Sequence, residues 1–299
     1  MKTALRNAVE NAKRVIGSTG ERVLPEFVVI LVTIMRRYKR RFGVFPNVVR
    51  PETFNEKVLC RMLFDRRPIL TKLADKYAVR NYVKQRVGEH VLPEWYAVTT
   101  NPSTIPFDDL PDEFVVKPTH GSGWVYLVPD KALLNKRELI DTCHLWLNQN
   151  YYYVDREWVY QHIQPRIVVE EFIHDGFGPV PRDYRLFVFD GKVALIRVDA
   201  GRGDDRRWSH YGRSWDKLDV PCRFKDIEGG VVPPKHLDDM VRCAEILGAG
   251  LDFVRVDMYH TQDRMYFGEI TTTPVAGMLG AYPDEFNRYL GTLWKLSLR

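Results

Sequence analysis

The sequence predicts an α+β fold, in which helices and antiparallel strands are intermixed along a chain of 299 residues. Two hairpin patterns are the main observations. Alternating segments flank Asp190-Gly191, a dipeptide that strongly favours a hairpin turn. A second pair of strand-like runs carries Asp257 on one strand and Glu269 on the other. Helical patterns surround these hairpins, and such a mixture is typical of the α+β class.

The remaining elements follow in order along the chain. Residues 1–50 predict an N-terminal helical region that ends near Gly43. Thr53-x-x-Glu56 before an apolar run is a capping box, which begins a helix. Further helices are predicted over 70–87, 135–151 and 235–247, and at the C-terminus. Strands are predicted over 91–98, 114–117, 167–173, 183–189, 192–198, 254–257 and 267–271.

Composition indicates a soluble protein with a mild basic excess. Lys and Arg number 44 against 39 Asp and Glu, which gives a net charge of +5 and a pI near 8.9. The four cysteines contain no C-x-x-C pair, which argues against a zinc site, and their low number fits a reducing cytoplasm. Residues 1–22 lack the apolar core of a signal peptide, so we expect a cytoplasmic protein. The sequence contains no recognised nucleic-acid-binding motif, and we expect no nucleic acid as partner.

An apolar run over 27–35 is followed directly by a basic cluster. The run is too short to span a bilayer. It could lie on an anionic membrane at the inner face, with the basic cluster beside it, or form a buried helix of the protein. We favour the buried helix. The cluster consists of Arg36, Arg37, Lys39, Arg40 and Arg41.

The second hairpin predicts a metal site. Side chains two residues apart on a strand share a face, so Arg255 lies beside Asp257, and Glu269 beside Thr271. If the two strands pair, the two carboxylates converge, and they repel unless a proton or a cation separates them. Mg²⁺ takes one or two protein carboxylates together with phosphate oxygens.

A lysine and a glycine loop predict a phosphate site upstream. Lys117 ends an apolar strand and precedes Gly121-Ser122-Gly123. Glycines let backbone N–H groups approach phosphates, and the lysine adds a positive charge. The pattern is not G-x-x-x-x-G-K-[ST], which excludes a P-loop, and a simple turn would also explain it.

Charged residues inside the predicted strands are further candidates. Glu170 and Glu171 are adjacent and point to opposite faces, so we expect only one to enter a site. Arginine within an apolar strand is costly unless it is paired. Arg185, Arg197 and Arg255 therefore indicate either an anionic ligand or internal salt bridges.

In this order, the motifs resemble the ATP-grasp superfamily from about Pro51 to the C-terminus. The residues that carry this resemblance are Lys76, Lys117 with its glycine loop, Glu170 to Ile173, and Arg255-Val256-Asp257 with Gly268 to Thr271. Local signatures resemble the TupA-like branch, which is associated with teichuronopeptide and other cell-surface polysaccharide biosynthesis. These signatures are Thr53-Phe54-Asn55-Glu56-Lys57, Ala74-Asp75-Lys76-Tyr77-x-x-Arg80, Asp183-Tyr184-Arg185 and Gly268-Glu269-Ile270-Thr271.

The resemblance implies two α+β subdomains that enclose ATP, the first over 51–165 and the second, with the metal site, over 166–299. Lys76 and Lys117 would contact the phosphates and the adenine side, and residues 121–123 would cover the phosphates. Glu170 or Glu171, with the backbone of Phe172 and Ile173, would hold adenine, and Asp183 the ribose. Asp257 and Glu269 would hold Mg²⁺, with Thr271 where many family members have asparagine.

The resemblance implies an ATP-dependent carboxylate–amine ligase acting through an acyl phosphate. Its substrates would be an acidic, uronic-acid-type saccharide of the cell envelope and an amine or amino acid. Arg255, Arg185 and Arg197 are the expected catalytic cations, with Arg255 placed best for the transferred phosphoryl group. Two alternatives stay open: a phosphotransferase, and a glycosyltransferase or non-catalytic nucleotide-binding protein. Asp108-Asp109 and Asp204-Asp205 lack the Asp-x-Asp spacing of many glycosyltransferases.

A long polar loop is predicted over 199–220, and residues 201–211 within it are a candidate lid. Glycines in this segment allow hinges, and its arginines suit carboxylates. Long loops in compact domains are usually functional or disordered, although an ordinary exposed loop is the other interpretation. A homodimer is left open by the sequence.

Overall fold

The computed structural model describes residues 26–298, so the predictions made for residues 1–25 lie outside the described part. The helices are α1 (Glu26–Phe42), α2 (Phe54–Phe64), α3 (Pro68–Ala74), α4 (Ala78–Val87), α5 (Lys136–Leu147), α6 (Tyr152–Asp155), α7 (Leu237–Gly248) and α8 (Asp284–Leu293). The strands are β1 (Trp95–Thr99), β2 (Phe114–Pro118), β3 (Tyr126–Val128), β4 (Ile167–Glu171), β5 (Asp183–Phe189), β6 (Lys192–Ala200), β7 (Arg207–Tyr211), β8 (Lys217–Leu218), β9 (Phe253–His260) and β10 (Met265–Thr271). The predicted α+β class is confirmed, because every strand pairing is antiparallel and helices run between the strands.

Contacts divide the described chain into two units. Unit 1 comprises residues 26–66, 220–223 and 273–298, and unit 2 comprises residues 67–219 and 224–272. Unit 1 contains α1, α2 and α8, and unit 2 contains both sheets.

The N-terminal apolar run forms part of α1, and its apolar face is buried, as the favoured interpretation expected. Leu31, Ile34 and Met35 are at most 1% exposed. Arg36, Lys39, Arg40 and Arg41 are exposed on the same helix. None of the helices described here has the length and apolarity needed to cross a bilayer.

The residues of the Thr53 to Lys57 signature make hydrogen bonds within unit 1. The predicted capping box is confirmed: the Thr53 side chain accepts a hydrogen bond from the Glu56 N–H, and Glu56 accepts one from the Thr53 N–H. Asn55 donates to the Leu279 carbonyl at 3.1 Å. Lys57 Nζ donates to the carbonyls of Gly291 and Trp294 at 2.7 and 2.6 Å, where α8 ends. Orphan carbonyls at a helix C-terminus attract a positive charge, so this lysine caps α8.

Unit 2 contains a four-stranded sheet with the order β1-β4-β2-β3. Phe114 and Val116 of β2 and Ile167 and Val169 of β4 pack in one core with α5, whose Leu139 is fully buried. Because side chains alternate along a strand, Lys117 and Glu170 lie on the face away from this core. β4 follows the predicted subdomain boundary at 165/166 in sequence, and it pairs with β1 and β2 of this sheet. The chain therefore passes from the four-stranded to the six-stranded sheet only after β4.

The second sheet of unit 2 has six strands in the order β10-β9-β5-β6-β7-β8. Tyr184, Leu186 and Val188 of β5 face a core that also contains Met240 and Leu247 of α7. The predicted Asp190-Gly191 hairpin is confirmed, with β5 and β6 paired from Asp183 and Asp199 to Phe189 and Lys192. Alternation therefore leaves Asp183 and Arg185 on the face opposite this core.

Two predicted elements differ from the structure. The single helix predicted over 70–87 is interrupted at Asp75-Lys76-Tyr77, because the Lys76 N–H donates to the Thr119 carbonyl instead of continuing the helix. The long loop predicted over 199–220 is wrong for residues 199–200, 207–211 and 217–218, which belong to β6, β7 and β8. Residues 207–211 form β7, whose side chains Trp208 to Tyr211 are buried, because they add a fifth strand to the sheet beside β6. Of the candidate lid, only 201–206 lies outside the strands, and it contains one turn of 3-10 helix at Gly203–Asp205.

The α8 cap generates a stability prediction. Lys57→Met keeps the aliphatic stem but leaves two carbonyls without their charged donor, so we expect the free energy of unfolding to fall by about 2 kcal/mol. Urea denaturation would measure this change. Lys136→Met is the control, because Lys136 is half exposed and pairs with a nearly fully exposed Asp108, and exposed pairs contribute roughly 0–1 kcal/mol. Unchanged stability with lost nucleotide binding would instead assign the motif to a binding site.

Candidate nucleotide and metal site

The candidate metal ligands face each other across β9 and β10. Glu269 pairs with Asp257 and Thr271 with Arg255, as the hairpin prediction expected. A bulge between Phe267 and Glu269 sets this register. Gly268 lies in the bulge, and a Cβ there would come within 2.9 Å of the Asp257 carbonyl oxygen. Glycine is therefore required for the close approach that places the two carboxylates opposite each other.

Arg255 connects all three candidate ligands. Its Nε and Nη2 donate to the two carboxylate oxygens of Asp257 at 2.6 and 2.5 Å. Nη2 also donates to Thr271 Oγ1 at 3.0 Å and to Glu269 Oε1 at 3.3 Å. Arg255 and Asp257 are each about 95% buried, so each charge depends on the other for compensation.

Electrostatics distinguish the two carboxylates. Burial raises the pKa of Asp257, and Arg255 and Arg185 only partly oppose that rise. Burial also acts on Glu269, but Lys76, Arg255 and Arg185 outweigh it and hold the pKa of Glu269 below its usual value. Glu269 is about one third exposed, so solvent screens part of this effect.

The donor set fits a hard divalent cation. Two carboxylates and one hydroxyl converge, and all the donor atoms are oxygen. No group of three or more His, Cys, Asp or Glu side chains suited to a metal occurs within residues 26–298. A cation here would need oxygens from water or phosphate to complete its shell, which is the usual behaviour of Mg²⁺.

The four-stranded sheet presents Lys117 and Glu170 on its face away from α5. The two side chains form an ion pair, and Glu170 Oε2 also accepts a hydrogen bond from the Trp95 indole N–H at 3.1 Å. Glu171 points elsewhere: it accepts from the Glu94 N–H at 3.0 Å and from the Tyr266 hydroxyl at 2.7 Å. The prediction that the two adjacent glutamates separate is confirmed. Phe172 and Ile173 follow β4 and are buried.

The interruption between α3 and α4 places Lys76 beside the glycine loop. Lys76 Nζ donates to the Gly121 carbonyl, and Asp75 accepts from the Tyr77 N–H at 2.8 Å. Burial lowers the pKa of Lys76, while Glu269 opposes this and Lys117 adds to it. Gly121 has no room for a side chain, because a Cβ would come within 2.7 Å of Trp124. Gly123 has a positive φ of 73°.

Arg185 lies between three carboxylates on the polar face of the six-stranded sheet. Its guanidinium is 3.1 Å from Asp183, 3.2 Å from Asp199 and 3.8 Å from Asp257. Burial acts to lower the pKa of Arg185, but Asp257, Asp199 and Asp183 together raise it. Arg185 therefore stays charged and links the candidate ribose residue Asp183 to the candidate metal ligand Asp257.

Arg197 differs from the other two candidate cations. It is 2% exposed, donates twice to Asp199 at 2.6 and 3.1 Å, and lies 3.7 Å from the centre of the Trp208 ring. The guanidinium N–H groups of Arg197 are already bound to the Asp199 carboxylate, and its planar face stacks on the Trp208 ring. This geometry suits a residue that positions Asp199.

Sequence reasoning missed several residues near these side chains. Asp199 shares a face with Arg197, and Tyr259 shares a face with Asp257 and Arg255 by strand alternation. That spacing was a usable signal for both. Trp95 and Tyr160 had no such signal, since each reaches the site through tertiary packing. Tyr160 is close enough to Glu269 for that carboxylate to contribute to the raised pKa of the phenol, which burial dominates.

The family model described as TupA-like ATPgrasp matches residues 56–295. The crystal structure of D-alanine–D-alanine ligase from Bacillus anthracis complexed with ATP is similar over 75% of this chain and 62% of that chain, with 19% identity and a TM-score of 0.44. The structure of the ATP-grasp ligase PsnB with a phosphomimetic variant of its minimal precursor, Mg and ADP is similar over 76% of this chain and 59% of that chain, with 15% identity and a TM-score of 0.44. This chain thus covers less than two thirds of either structure. No curated protein matches it.

His210 generates a prediction about pH. It lies on β7 opposite Arg197, is 2% exposed, and has a pKa lowered to about 4 by burial and by Arg197. The unfolded chain therefore binds a proton more readily than the folded protein between the folded value of about 4 and the ordinary value of 6.5. Neutral His210 therefore does not destabilise the folded protein above pH 6.5, and the free energy of unfolding decreases as the pH falls from 6.5 to about 4.

When the pH is lowered from about 7 to about 5, the free energy of unfolding falls for both proteins. We expect this fall to be about 2 kcal/mol smaller in His210→Gln than in the parent protein. Urea denaturation at both pH values would measure the difference. His144→Gln is the matched control, because His144 is exposed, and it should behave like the parent. Equal acid sensitivity of the parent and His210→Gln would contradict the assignment.

Proposed function

The chain belongs to the TupA-like ATP-grasp family, and we propose on this premise that it is an ATP-dependent carboxylate–amine ligase. The observation that carries the proposal is the convergence of Arg255 with Asp257, Glu269 and Thr271 on one face of the six-stranded sheet. Cations and oxygen ligands in one buried group are what phosphoryl transfer from a nucleotide requires.

The proposed nucleotide contacts use side chains of unit 2. Lys76 and Lys117 bind the phosphates, and residues 121–123 cover them. Glu170 accepts from the adenine amino group, and the backbone of Phe172 and Ile173 pairs with the ring. Asp183 binds the ribose. The ion pair between Lys117 and Glu170 supports this arrangement, because it holds the phosphate residue beside the adenine residue before ATP binds.

Asp257, Glu269 and Thr271 would hold Mg²⁺, which would neutralise charge on the ATP phosphates when bound. Arg255 donates to all three of these side chains in the present structure, so its fork must turn from them towards the transferred phosphoryl group. Arg185 keeps its three carboxylate partners and orients Asp183 and Asp257. Arg197 does not contact the nucleotide and acts indirectly, by positioning Asp199.

The proposed reaction has two steps. A substrate carboxylate oxygen attacks the γ-phosphorus of ATP, the bond from that phosphorus to the bridging oxygen breaks, and ADP leaves. A neutral amine then attacks the acyl carbon, the bond from this carbon to the phosphate oxygen breaks, and phosphate leaves with an amide as product. The amine loses one proton in this step, and the departing phosphate takes it up. Positioning and charge stabilisation supply most of the rate enhancement in such chemistry.

We propose an acidic saccharide of the cell envelope as the carboxylate substrate and an amine or amino acid as its partner. The location proposed is cytoplasmic, at the inner face of the membrane. The exposed basic residues of α1, on the side away from its buried apolar face, support contact with anionic lipid. Residues 201–206 are the proposed lid, since Arg202 reaches within 3.6 Å of Asp183 and is 55% exposed.

The reaction is tested by ATP turnover with Mg²⁺ against uronic-acid oligosaccharides and amino acids, with ADP and free phosphate both measured. We expect both products only when a carboxylate and an amine are present together. ADP without free phosphate would indicate a phosphotransferase. Nucleotide binding without turnover across the panel would favour a non-catalytic nucleotide-binding protein.

Arg255 is tested by Arg255→Lys, which keeps one positive charge but loses the fork that spans two oxygens. We expect kcat to fall by about 100-fold while the Kd for ATP changes little, because the lost interaction forms with charge that develops during phosphoryl transfer. Arg213→Lys is the control, since Arg213 is 54% exposed and pairs with Glu245. An unchanged kcat in Arg255→Lys would remove Arg255 from the mechanism.

A further inference from the structure

A cleft of about 840 Å³ adjoins the candidate nucleotide site within unit 2. It runs beside the edge strand β1 and the outer face of α4. A volume of this size can enclose a ligand as large as a short oligosaccharide. The side chains that matter for its chemistry are Tyr77, Arg80, Asn81, Trp95, Thr100 and Arg166.

The cleft contains a stacked series of rings and guanidinium groups. Tyr77 and Trp95 stack with ring centres 5.9 Å apart. The Arg80 guanidinium lies 4.1 Å from the centre of the Trp95 ring, and the Arg166 guanidinium lies 4.3 Å from the centre of the Tyr77 ring. Arg80 also donates to the Pro93 carbonyl at 2.9 Å, and Arg166 donates to Gln164. Both cations are thus held in place before any ligand arrives.

The two guanidinium groups make no direct ion pair. Within the described chain, no carboxylate lies within ion-pair distance of Arg80 or Arg166. Glu89, the acidic residue of the cleft wall, pairs with Lys84, which neutralises both. Glu170 interacts with Arg80, and Asp75 with Arg166, only beyond ion-pair distance. The cleft therefore carries two fixed guanidinium groups that have no direct carboxylate contact, and an anion would supply one.

The available surface favours a saccharide over a nucleic acid. Nucleic-acid bases bind by stacking on open aromatic faces. In this cleft each ring already stacks on the other and carries a guanidinium, so open aromatic face is limited. The other groups are the Asn81 amide and the Thr100 hydroxyl, which suit sugar hydroxyls, whereas the Thr99 hydroxyl is engaged by Asn101 and Thr104.

The cleft is connected to the nucleotide site by one hydrogen bond. Trp95 donates its indole N–H to Glu170, the proposed adenine residue, while its ring carries Arg80 in the cleft. Tyr77 follows Lys76, the proposed phosphate residue, along the chain. A ligand in the cleft therefore lies beside the nucleotide without using the same charged groups.

We infer that this cleft is a second anion-binding site, which takes a carboxylate-bearing segment of an acidic saccharide through Arg80 and Arg166. The inference rests on the proposed function only in identifying this saccharide with the acceptor of the ligase. Binding at the cleft needs neither ATP nor turnover. The two guanidinium groups bind carboxylates, and the Asn81 amide and the Thr100 hydroxyl bind the ring hydroxyls.

The test is titration calorimetry with tetragalacturonate as the probe, at low and at raised salt, on the full chain. We expect Arg80→Gln and Arg166→Gln each to weaken binding by about tenfold or more, because each removes a charge-assisted contact. Arg137→Gln is the matched control. It makes the same charge change on an exposed position of α5, which packs against the opposite face of the four-stranded sheet, and it should bind like the parent.

Four further measurements separate the alternatives. The fully methyl-esterified tetrasaccharide should bind at least tenfold more weakly than the acid, since it has lost the carboxylates. ATP affinity and thermal unfolding of Arg80→Gln and Arg166→Gln should match the parent. A thymidine oligonucleotide should not compete with tetragalacturonate at equal concentration of charge.

The inference is overturned by any of four results: no binding of tetragalacturonate to the parent, equal binding by the two variants, equal binding of the methyl ester, or full competition by the oligonucleotide. A parallel loss of ATP affinity in both variants would also overturn it, by making the cleft part of the nucleotide site. Binding with the expected pattern but no ligase turnover would sustain the cleft and reject the proposed reaction, so the two failures are distinguishable.

Discussion

The pairing of buried arginines with carboxylates on one face of the six-stranded sheet is the constraint on which the site depends. Arg255 donates to Asp257, and Arg197 donates to Asp199. Arg185 lies among Asp257, Asp199 and Asp183. Burying any one of these charges alone would be strongly unfavourable, so their order along each strand is tied to the register of the sheet. A slip of one residue would bury the arginines in the apolar core on the other face.

Two local departures from regular structure bring the other side chains to this face. The interruption between α3 and α4 turns Lys76 towards Gly121, and the bulge at Gly268 aligns Glu269 with Asp257. In each case a short backbone irregularity interrupts regular helix or strand. The physical reason is that a uniform helix or ladder repeats its side-chain directions and could not aim these groups at one point.

The family signatures serve two separate purposes. Thr53, Asn55, Glu56 and Lys57 are engaged in helix caps and carbonyl contacts of unit 1, whereas the signatures at Lys76 and Glu269 supply candidate nucleotide and metal groups in unit 2. Motif resemblance alone treats both kinds alike. Only their hydrogen-bond partners separate a residue that stabilises the fold from one that faces a ligand.

The sequence by itself determined the α+β class, both hairpins, the capping box and the separation of Glu170 from Glu171, because these depend on alternation and on turn chemistry over short distances. Tertiary structure alone decided that 207–211 is a buried strand, that 70–87 is interrupted at Lys76, and that Trp95 reaches Glu170. It also decided that Arg197 is already engaged while Arg80 and Arg166 have no acidic partner in the described chain. Charge compensation depends on which strands become neighbours, and local sequence carries no record of that pairing.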